Sequence, residues 1–236
     1  MHTIRLCDLT VRMTGGTDGH GGGYGPLVVL LHGFGAPGDD LVPLADVIDV
    51  PAGTRWIFPE GPLSLSFGPI DARAWWMIDM ARIAQDRAAG RVRDLSQDIP
   101  KGLAPMRDKL RELLQMIERQ LGADPRKTVL GGFSQGAMLS CDAVLHSDRP
   151  YAGLVQLSGN LLAQPVWGPL LQKRKGLPVF QSHGTRDEVL PYVGAERLRD
   201  VLAQAGFAVE WHNFRGGHEI PESVIRQLGL FLTERL

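Results

Sequence analysis

Residues 128–138 read TVLGGFSQGAM and join a short apolar run, a serine between glycines and the start of a helical pattern. The run predicts a strand that enters the glycines, and residues 135–145 predict a helix. Gly132, Ser134 and Gly136 therefore form a G-x-S-x-G sequence at a sharp turn from a strand into a helix. Small residues two positions away on each side let the chain pass and hold the serine hydroxyl clear of the sheet.

Segments on either side of this turn alternate between strand and helix patterns. Residues 27–31, LVVLL, form a continuous apolar run of the kind that is buried on both faces of a sheet. Residues 102–121 carry apolar side chains at helical spacing, and further strands are predicted at 154–157, 179–181 and 207–214. The alternation predicts parallel strands joined by crossover helices, hence an α/β layered domain. In such sheets, chemistry collects at the carboxyl ends of the strands.

The length indicates one domain over residues 1–236. Alternating apolar residues at 9–13 predict a first strand at the edge of the sheet. The dense glycines of residues 15–25 predict a flexible loop. Residues 63–100 give a weaker pattern, which we interpret as an aromatic loop followed by a polar helical stretch, together an insertion or a lid.

Charge and composition exclude several classes of protein. Lys and Arg total 25 and Asp and Glu total 26, so the formal net charge is −1. This balance excludes a strongly basic nucleic-acid binder and an acidic disordered chain. The longest apolar run is too short for stable membrane insertion, and the N-terminal residues lack a signal-peptide pattern. Cys7 and Cys141 indicate free thiols in a reducing compartment, so we expect a cytoplasmic protein, with a homodimer left open.

A serine hydroxyl is a weak nucleophile until a base accepts its proton. Of the seven histidines, we interpret His218 as that base, because it lies downstream in a glycine-flanked loop after a predicted strand. Asp187 follows another predicted strand and is interpreted as the carboxylate that orients the imidazole. The chain order serine, aspartate, histidine is the order found in α/β-hydrolases. His32 and His183 each precede a glycine at a strand end, which indicates structural hydrogen bonding.

The tetrahedral intermediate of such a reaction needs backbone N–H donors for its oxyanion. The amide of Gln135, the residue after the candidate nucleophile, is one expected donor. The other is expected from the loop after an earlier strand, HGFG at residues 32–35, and we assign it to the amide of Phe34.

Residues 55–58, RWIF, predict a further strand. An apolar cluster follows it and consists of Leu63, Leu65, Phe67, Ile70, Trp75, Trp76 and Met77. Because ligand pockets are largely apolar, the cluster is a candidate acyl site or lid. A satellite core under a long loop is the equally weighted alternative. The candidate substrate-binding residues are Leu63, Phe67, Trp75, Trp76 and Met77.

The same sequence contains a competing motif, since residues 33–38 match G-x-G-x-x-G and Glu60 lies near the expected ribose-binding position. Asp39 and Asp40 would place two negative charges where a pyrophosphate should bind, and Pro37 removes an amide donor. A nucleotide-binding oxidoreductase is therefore a remote alternative, as is a non-catalytic binding protein on the same fold. Metal-ligand spacings are lacking, so we expect no metal and no cofactor.

Four segments together resemble the phospholipase/carboxylesterase family of α/β-hydrolases, which includes acyl-protein thioesterases. They are LHGFGAPGDDL at 31–41, GGFSQGA at 131–137, HGTRD at 183–187 with the three residues from 189 to 191 behind it, and GHEIP at 217–221. The resemblance covers the chain from about residue 27 to its C-terminus. Residues 74–97 and the glycine-rich loop depart from the family pattern.

The resemblance implies an α/β-hydrolase fold with a mostly parallel central sheet flanked by helices. It implies Ser134, Asp187 and His218 as a catalytic triad, with oxyanion donors at Phe34 and Gln135. We therefore expect a carboxylesterase that cleaves short- to medium-chain acyl esters of small molecules through an acyl-enzyme. A lysophospholipase and an acyl-protein thioesterase are the alternatives.

Overall fold

The computed structural model describes residues 1–67, 70–90 and 93–236, without the side chains of residues 66, 67, 70, 80, 84 and 87. The described strands are β1 (His2–Leu6), β2 (Leu9–Gly16), β3 (His20–Gly22), β4 (Leu27–Leu31), β5 (Arg55–Pro59), β6 (Leu63–Phe67), β7 (Ile70–Ala74), β8 (Thr128–Phe133), β9 (Gly153–Leu157), β10 (Pro178–Gly184) and β11 (Ala208–Phe214). The described α-helices are α1 (Leu44–Val47), α2 (Met80–Ala88), α3 (Leu103–Leu121), α4 (Gln135–Leu145), α5 (Gln164–Trp167), α6 (Tyr192–Gln204) and α7 (Glu222–Arg235). Two 3-10 helices lie at Pro125–Lys127 and Gly168–Arg174.

The main sheet has the strand order β1-β2-β5-β4-β8-β9-β10-β11, and β3 pairs with β2 beside this path. All pairs from β5 to β11 are parallel, whereas β2 runs antiparallel to both β1 and β5. The prediction of a mostly parallel sheet with crossover helices is therefore confirmed. β6 and β7 form a separate antiparallel hairpin.

The strand register brings the ends of β4, β8, β9 and β10 to one edge of the sheet. Leu31 pairs with Gly132, and Phe133 pairs with Leu157. At the far side, Gly184 of β10 pairs with Phe214 of β11. The loops that follow β4, β8, β10 and β11 therefore converge at the carboxyl ends of the strands, where parallel sheets place their functional groups.

The core has two layers because the central strands are buried on both faces. All five residues of β4 are buried, as the continuous apolar run predicts. Alternate residues of β4 pack into different clusters, with Val29 on the side of α3, α4 and α6 and Val28 on the side of α1 and α7. Helices α3 and α4 agree with the predicted segments to within a residue. Gly122 caps the C-terminal end of α3 in the left-handed conformation, with a φ of 59°.

Three sequence predictions are wrong in the N-terminal half. The strand at 9–13 is not the edge strand, because β2 pairs with β1 on one side and β5 on the other. The segment 15–25 is not all loop, since β2 continues to Gly16 and β3 lies at His20–Gly22. The aromatic loop after β5 is a hairpin, because the L-S-L-S alternation at 63–66 builds β6 and β7 pairs with it.

The described part of the chain has no helix long and apolar enough to cross a bilayer. Cys7 and Cys141 are both free thiols, as their isolation in the sequence predicts.

Candidate active site

Ser134 lies at a strained turn between β8 and α4. Its φ of 54° and ψ of −115° are unusual for a residue with a side chain. The turn needs glycine on both sides, since a Cβ on Gly132 would lie 2.5 Å from the Leu31 carbonyl oxygen and one on Gly136 only 2.0 Å from it. The two glycines therefore let β8 and α4 pack closely against the end of β4, and Ser134 lies at the carboxyl edge of the sheet.

Neighbouring backbone fixes this turn. The Ser134 amide donates to the Leu157 carbonyl at 2.9 Å, and the Ser134 carbonyl accepts from the Met138 amide at 3.1 Å. The loop after β4 comes close, because a Cβ on Gly33 would lie 3.3 Å from the Ser134 Cβ. Ser134 is only 8% exposed as a residue, and it lies in the wall of a cavity.

Asp187 and His218 meet in the loops after β10 and β11. The His218 Nδ1 lies 2.6 Å from the Asp187 Oδ2. A carboxylate only accepts, so Nδ1 carries the ring proton, and in the neutral ring Nε2 keeps its lone pair for another partner. The ring of Phe133, the residue before Ser134, packs against the imidazole with centroids 4.7 Å apart. His218 is thus oriented by an acid on one edge and an aromatic ring on one face.

The Asp187 carboxylate is fully buried but surrounded by donors. Its Oδ1 accepts from the backbone amides of Val189 and Leu190, both at 2.8 Å. Burial by itself would raise the pKa of Asp187, but the hydrogen bonds from His183, His218 and the Leu190 amide outweigh it and lower that pKa below its ordinary value. Asp187 therefore stays ionised and can stabilise an imidazolium at His218.

His183 and His32 have structural hydrogen bonds, as their positions at strand ends predict. The Nε2 of His183 lies 2.9 Å from the Leu190 carbonyl and 3.2 Å from the Asp187 Oδ2, and the residue is fully buried. His32 faces the Gly33 carbonyl at 2.8 Å through Nδ1 and accepts from the Gly61 amide at 2.9 Å through Nε2. Burial lowers the pKa of His32, so the ring is neutral.

The two backbone amides predicted to bind an oxyanion flank Ser134 from different elements. Gln135 begins α4, and the first amides of a helix have no carbonyl within the helix to bind. The positive end of the helix dipole lies at the same place and favours developing negative charge. Phe34 lies in the loop after β4, and both residues line the cavity above Ser134.

That cavity has a volume of about 660 Å³ and contains Ser134, Asp187 and His218 in its wall. Its volume is in the range of small-molecule sites. Apolar side chains supply much of the remaining wall, among them Trp76, Ile78, Leu95, Met138, Leu162 and Leu190. Four charged residues also line it, namely Asp86, Arg93, Asp98 and Glu188. The cavity suits a substrate with an apolar part held beside the serine.

Comparison with known proteins identifies the family of this chain. The model of the phospholipase/carboxylesterase family matches residues 24–235. The chain belongs to this family. Membership places it among hydrolases that act on ester bonds.

Individual relatives match most of the chain. An acyl-protein thioesterase 1 of Cryptococcus neoformans is 32% identical over 190 residues, which cover 75% of this chain and 72% of the relative. The crystal structure of esterase PE8 matches with a TM-score of 0.79 and 27% identity over 99% of this chain and all of the other. Zea mays acyl-protein thioesterase 2 shares the fold, with a TM-score of 0.70 and 22% identity over 95% of this chain and 98% of that one.

The predicted substrate-binding residues lie in different parts of the structure, and not all of them line the cavity. Trp76 lines the cavity. Leu63 packs with Phe34 against the apolar cluster of the β6–β7 hairpin. Met77 is 64% exposed and is not part of the cavity wall. The side chain of Phe67 lies outside the described residues.

Trp75 is not part of the cavity wall either, and it is only 1% exposed. Trp75 and Trp76 follow β7 and both pack in the same buried core cluster, but only Trp76 also lines the cavity. The sequence did not distinguish the two tryptophans, because both belong to one apolar run. It also missed Ile78, Leu95, Met138 and Leu162 of the cavity wall. Ala36, Val189, Leu190 and Pro191, which line the cavity as well, lie within segments that carry the family resemblance.

The G-x-G-x-x-G loop has other contacts here. Glu60 binds the Arg12 guanidinium at 2.8 Å and that of Arg73 at 3.2 Å. The Gly35 amide donates to the Arg73 carbonyl at 2.8 Å, so the loop pairs with the end of β7. Among the residues that the structure describes, no group of three or more His, Cys, Asp or Glu side chains could hold a metal ion.

Proposed function

We propose that this chain is a serine carboxylesterase that cleaves short- to medium-chain acyl esters through an acyl-enzyme. The observation that carries the proposal is the 2.6 Å contact between His218 and the buried Asp187, in the wall of the cavity that also holds Ser134. Family membership supports hydrolysis of esters, and the apolar part of the cavity wall supports an acyl substrate.

In the proposed acylation step, the Ser134 Oγ attacks the ester carbonyl carbon while the His218 Nε2 accepts the hydroxyl proton. Asp187 stabilises the imidazolium that results. The carbonyl oxygen gains the electron pair and is bound by the amides of Phe34 and Gln135. When the carbonyl re-forms, the C–O bond to the alcohol breaks, and His218 returns the proton to the departing alcohol.

Deacylation repeats these steps with water as the nucleophile. His218 accepts a proton from the water, and the new tetrahedral oxyanion occupies the same two amides. Collapse releases the carboxylic acid and returns the proton to the Ser134 oxygen. One histidine thus acts as base and acid in both halves of the reaction.

A second candidate function is acyl-protein thioesterase activity, because a relative with that name is 32% identical over three quarters of the chain. The same serine, histidine and oxyanion donors can act on a thioester carbonyl. Lysophospholipase activity is a further alternative within the family. Paired substrates with the same acyl group, one an oxygen ester and one a thioester, separate carboxylesterase from thioesterase activity, and a lysophospholipid tests the third possibility.

The proposal is tested by labelling the protein with a fluorophosphonate and locating the modified residue by mass spectrometry. We expect a single label at Ser134, and we expect Ser134→Ala to remain folded, unlabelled and about 10⁶-fold slower on a p-nitrophenyl ester. A folded Ser134→Ala protein that retains the hydrolysis rate of the wild type would refute a nucleophilic serine.

A further inference from the structure

Two hydrogen bonds join Trp75 to residues near Ser134, and a third joins its neighbour Trp76 to Gln135. Its indole Nε1 donates to the His32 carbonyl at 2.9 Å, and its backbone amide donates to the Gln135 Oε1 at 2.9 Å. The Gln135 Nε2 in turn donates to the Trp76 carbonyl at 2.8 Å. These contacts are buried, so water does not replace them.

The orientation of the Gln135 side chain follows from these partners. Its amide oxygen accepts from an N–H and its amide nitrogen donates to a carbonyl. The flipped amide would place two donors together at one end and two acceptors together at the other. Gln135 is only 1% exposed, and both of its amide atoms bind the backbone at residues 75 and 76. The first residue of α4 is therefore fixed to the segment that follows β7.

The loop that carries Phe34 is attached to the same segment. The His32 carbonyl, two residues before Phe34, accepts from the Trp75 indole. The centroids of the His32 imidazole and the Trp75 indole lie 5.2 Å apart. Beyond Phe34, the backbone of Arg73 pairs with Gly35 and Ala36 at 2.8 and 2.9 Å. Residues 73–76 thus contact both the loop after β4 and the start of α4.

We propose that Trp75 is a positioning residue that sets the distance between the Phe34 and Gln135 amides and so aligns the oxyanion site. This inference rests on the proposed function, because it takes those two amides as the oxyanion donors. They belong to separate elements, and both must lie about 2.7–3.1 Å from one developing oxygen. A displacement of about 1 Å in such a site costs on the order of 10²-fold in rate.

Trp75→Phe is the direct test, because it keeps a buried ring and removes the Nε1 donor. Trp167→Phe is the matched control, since Trp167 is also 1% exposed and its Nε1 donates to a buried acceptor, Asp142 Oδ1, at 2.8 Å. We expect both variants to lose thermal stability, and Trp75→Phe to lose about 10- to 100-fold in kcat with KM within about twofold. The kcat of Trp167→Phe should stay within about twofold of the wild type.

Gln135→Met and Gln135→Glu give a second test that leaves Trp75 intact. Both keep the length of the side chain and the backbone amide of residue 135. The methionine removes both amide bonds and should lower kcat at every pH. The carboxylate can accept from the Trp75 amide but repels the Trp76 carbonyl until it is protonated, so the ratio of the kcat of Gln135→Glu to that of the wild type should rise as pH falls.

The outcomes separate this inference from the proposed function. If Trp75→Phe and Gln135→Met fold and retain the wild-type kcat while Ser134→Ala is inactive, Trp75 only packs the core and the positioning role is wrong. If Ser134→Ala keeps its activity, the serine mechanism fails, whatever the tryptophan variants do. A loss of kcat in Trp75→Phe equal to that in Trp167→Phe would also overturn the positioning role.

Discussion

Two sets of hydrogen bonds around Ser134 differ in kind. The acid–base set consists of charged or ionisable side chains, namely Asp187, His183 and His218. The amide set consists of neutral groups and backbone atoms around His32, Trp75 and Gln135. In the acid–base set, the decisive contact joins two side chains at 2.6 Å. In the amide set, each of the contacts at Trp75 and Gln135 has at least one backbone partner.

The difference explains why one set is visible in the sequence and the other is not. An acid and a base must be particular residue types, so their positions stand out in strand-end loops. Backbone amides and carbonyls are present at every residue, and a buried tryptophan resembles any other core aromatic. Residue types therefore indicate the acid–base set in the sequence, whereas the amide set depends on where the backbone lies in the folded chain.

The largest effect among the remaining tests is expected in the acid–base set. Asp187→Asn should reduce kcat on an activated ester by about 10⁴-fold, because an amide in place of the carboxylate favours the wrong tautomer of His218. Steady-state kinetics at neutral pH measure this loss. The backbone bonds of Val189 and Leu190 to Oδ1 can persist in the variant, so circular dichroism should show a folded protein. A loss below tenfold would contradict the role of Asp187.

A smaller effect, on acyl-chain preference, is expected to distinguish Trp76 from Met77, which the sequence analysis placed in one apolar cluster. Trp76→Ala enlarges the cavity and should shift the ratio of kcat/KM for longer over shorter p-nitrophenyl acyl esters by about 3- to 10-fold. Met77→Ala is the control, because Met77 is 64% exposed and is not part of the cavity wall. A ratio of two substrates is independent of the folded fraction. Equal shifts in both variants, or a shift in neither, would remove Trp76 from the acyl site.

The smallest effect is on the free energy of unfolding at acid pH, and it is expected for the acid–base set but not for the amide set. The pKa of Asp187 is lowered in the folded state, so its contribution is present above the unfolded value of about 3.9 and is lost as pH falls through the folded value. The stability gap between wild type and Asp187→Asn should therefore shrink as pH falls from about 5. The gap between wild type and Gln135→Met should change less, because no carboxylate is removed. Urea unfolding at several pH values measures both gaps, and a constant gap for Asp187→Asn would contradict the lowered pKa.

Sequence patterns predicted the regular parts of the fold well and the N-terminal part poorly. The helices α3 and α4 and the strand β4 were predicted because a buried face imposes strong periodicity or a continuous apolar run. The strand β1 gave no signal, since it lies at the sheet edge with no buried residue. The strand β3 was hidden in glycines, which carry no side-chain pattern.

The sequence by itself determined which residues are candidates for a nucleophile, a base and an orienting carboxylate and in which order they occur, because only a few side-chain types can take these roles. It also determined the turn at Ser134, since only glycine fits where a Cβ would come within 2.0 Å of the Leu31 carbonyl oxygen. Tertiary structure decided the rest. Trp76 lines the cavity, whereas Trp75 binds the loop after β4 and the start of α4. This difference depends on contacts between the end of the β6–β7 hairpin and two elements distant in sequence, and such contacts leave no local periodicity in the chain.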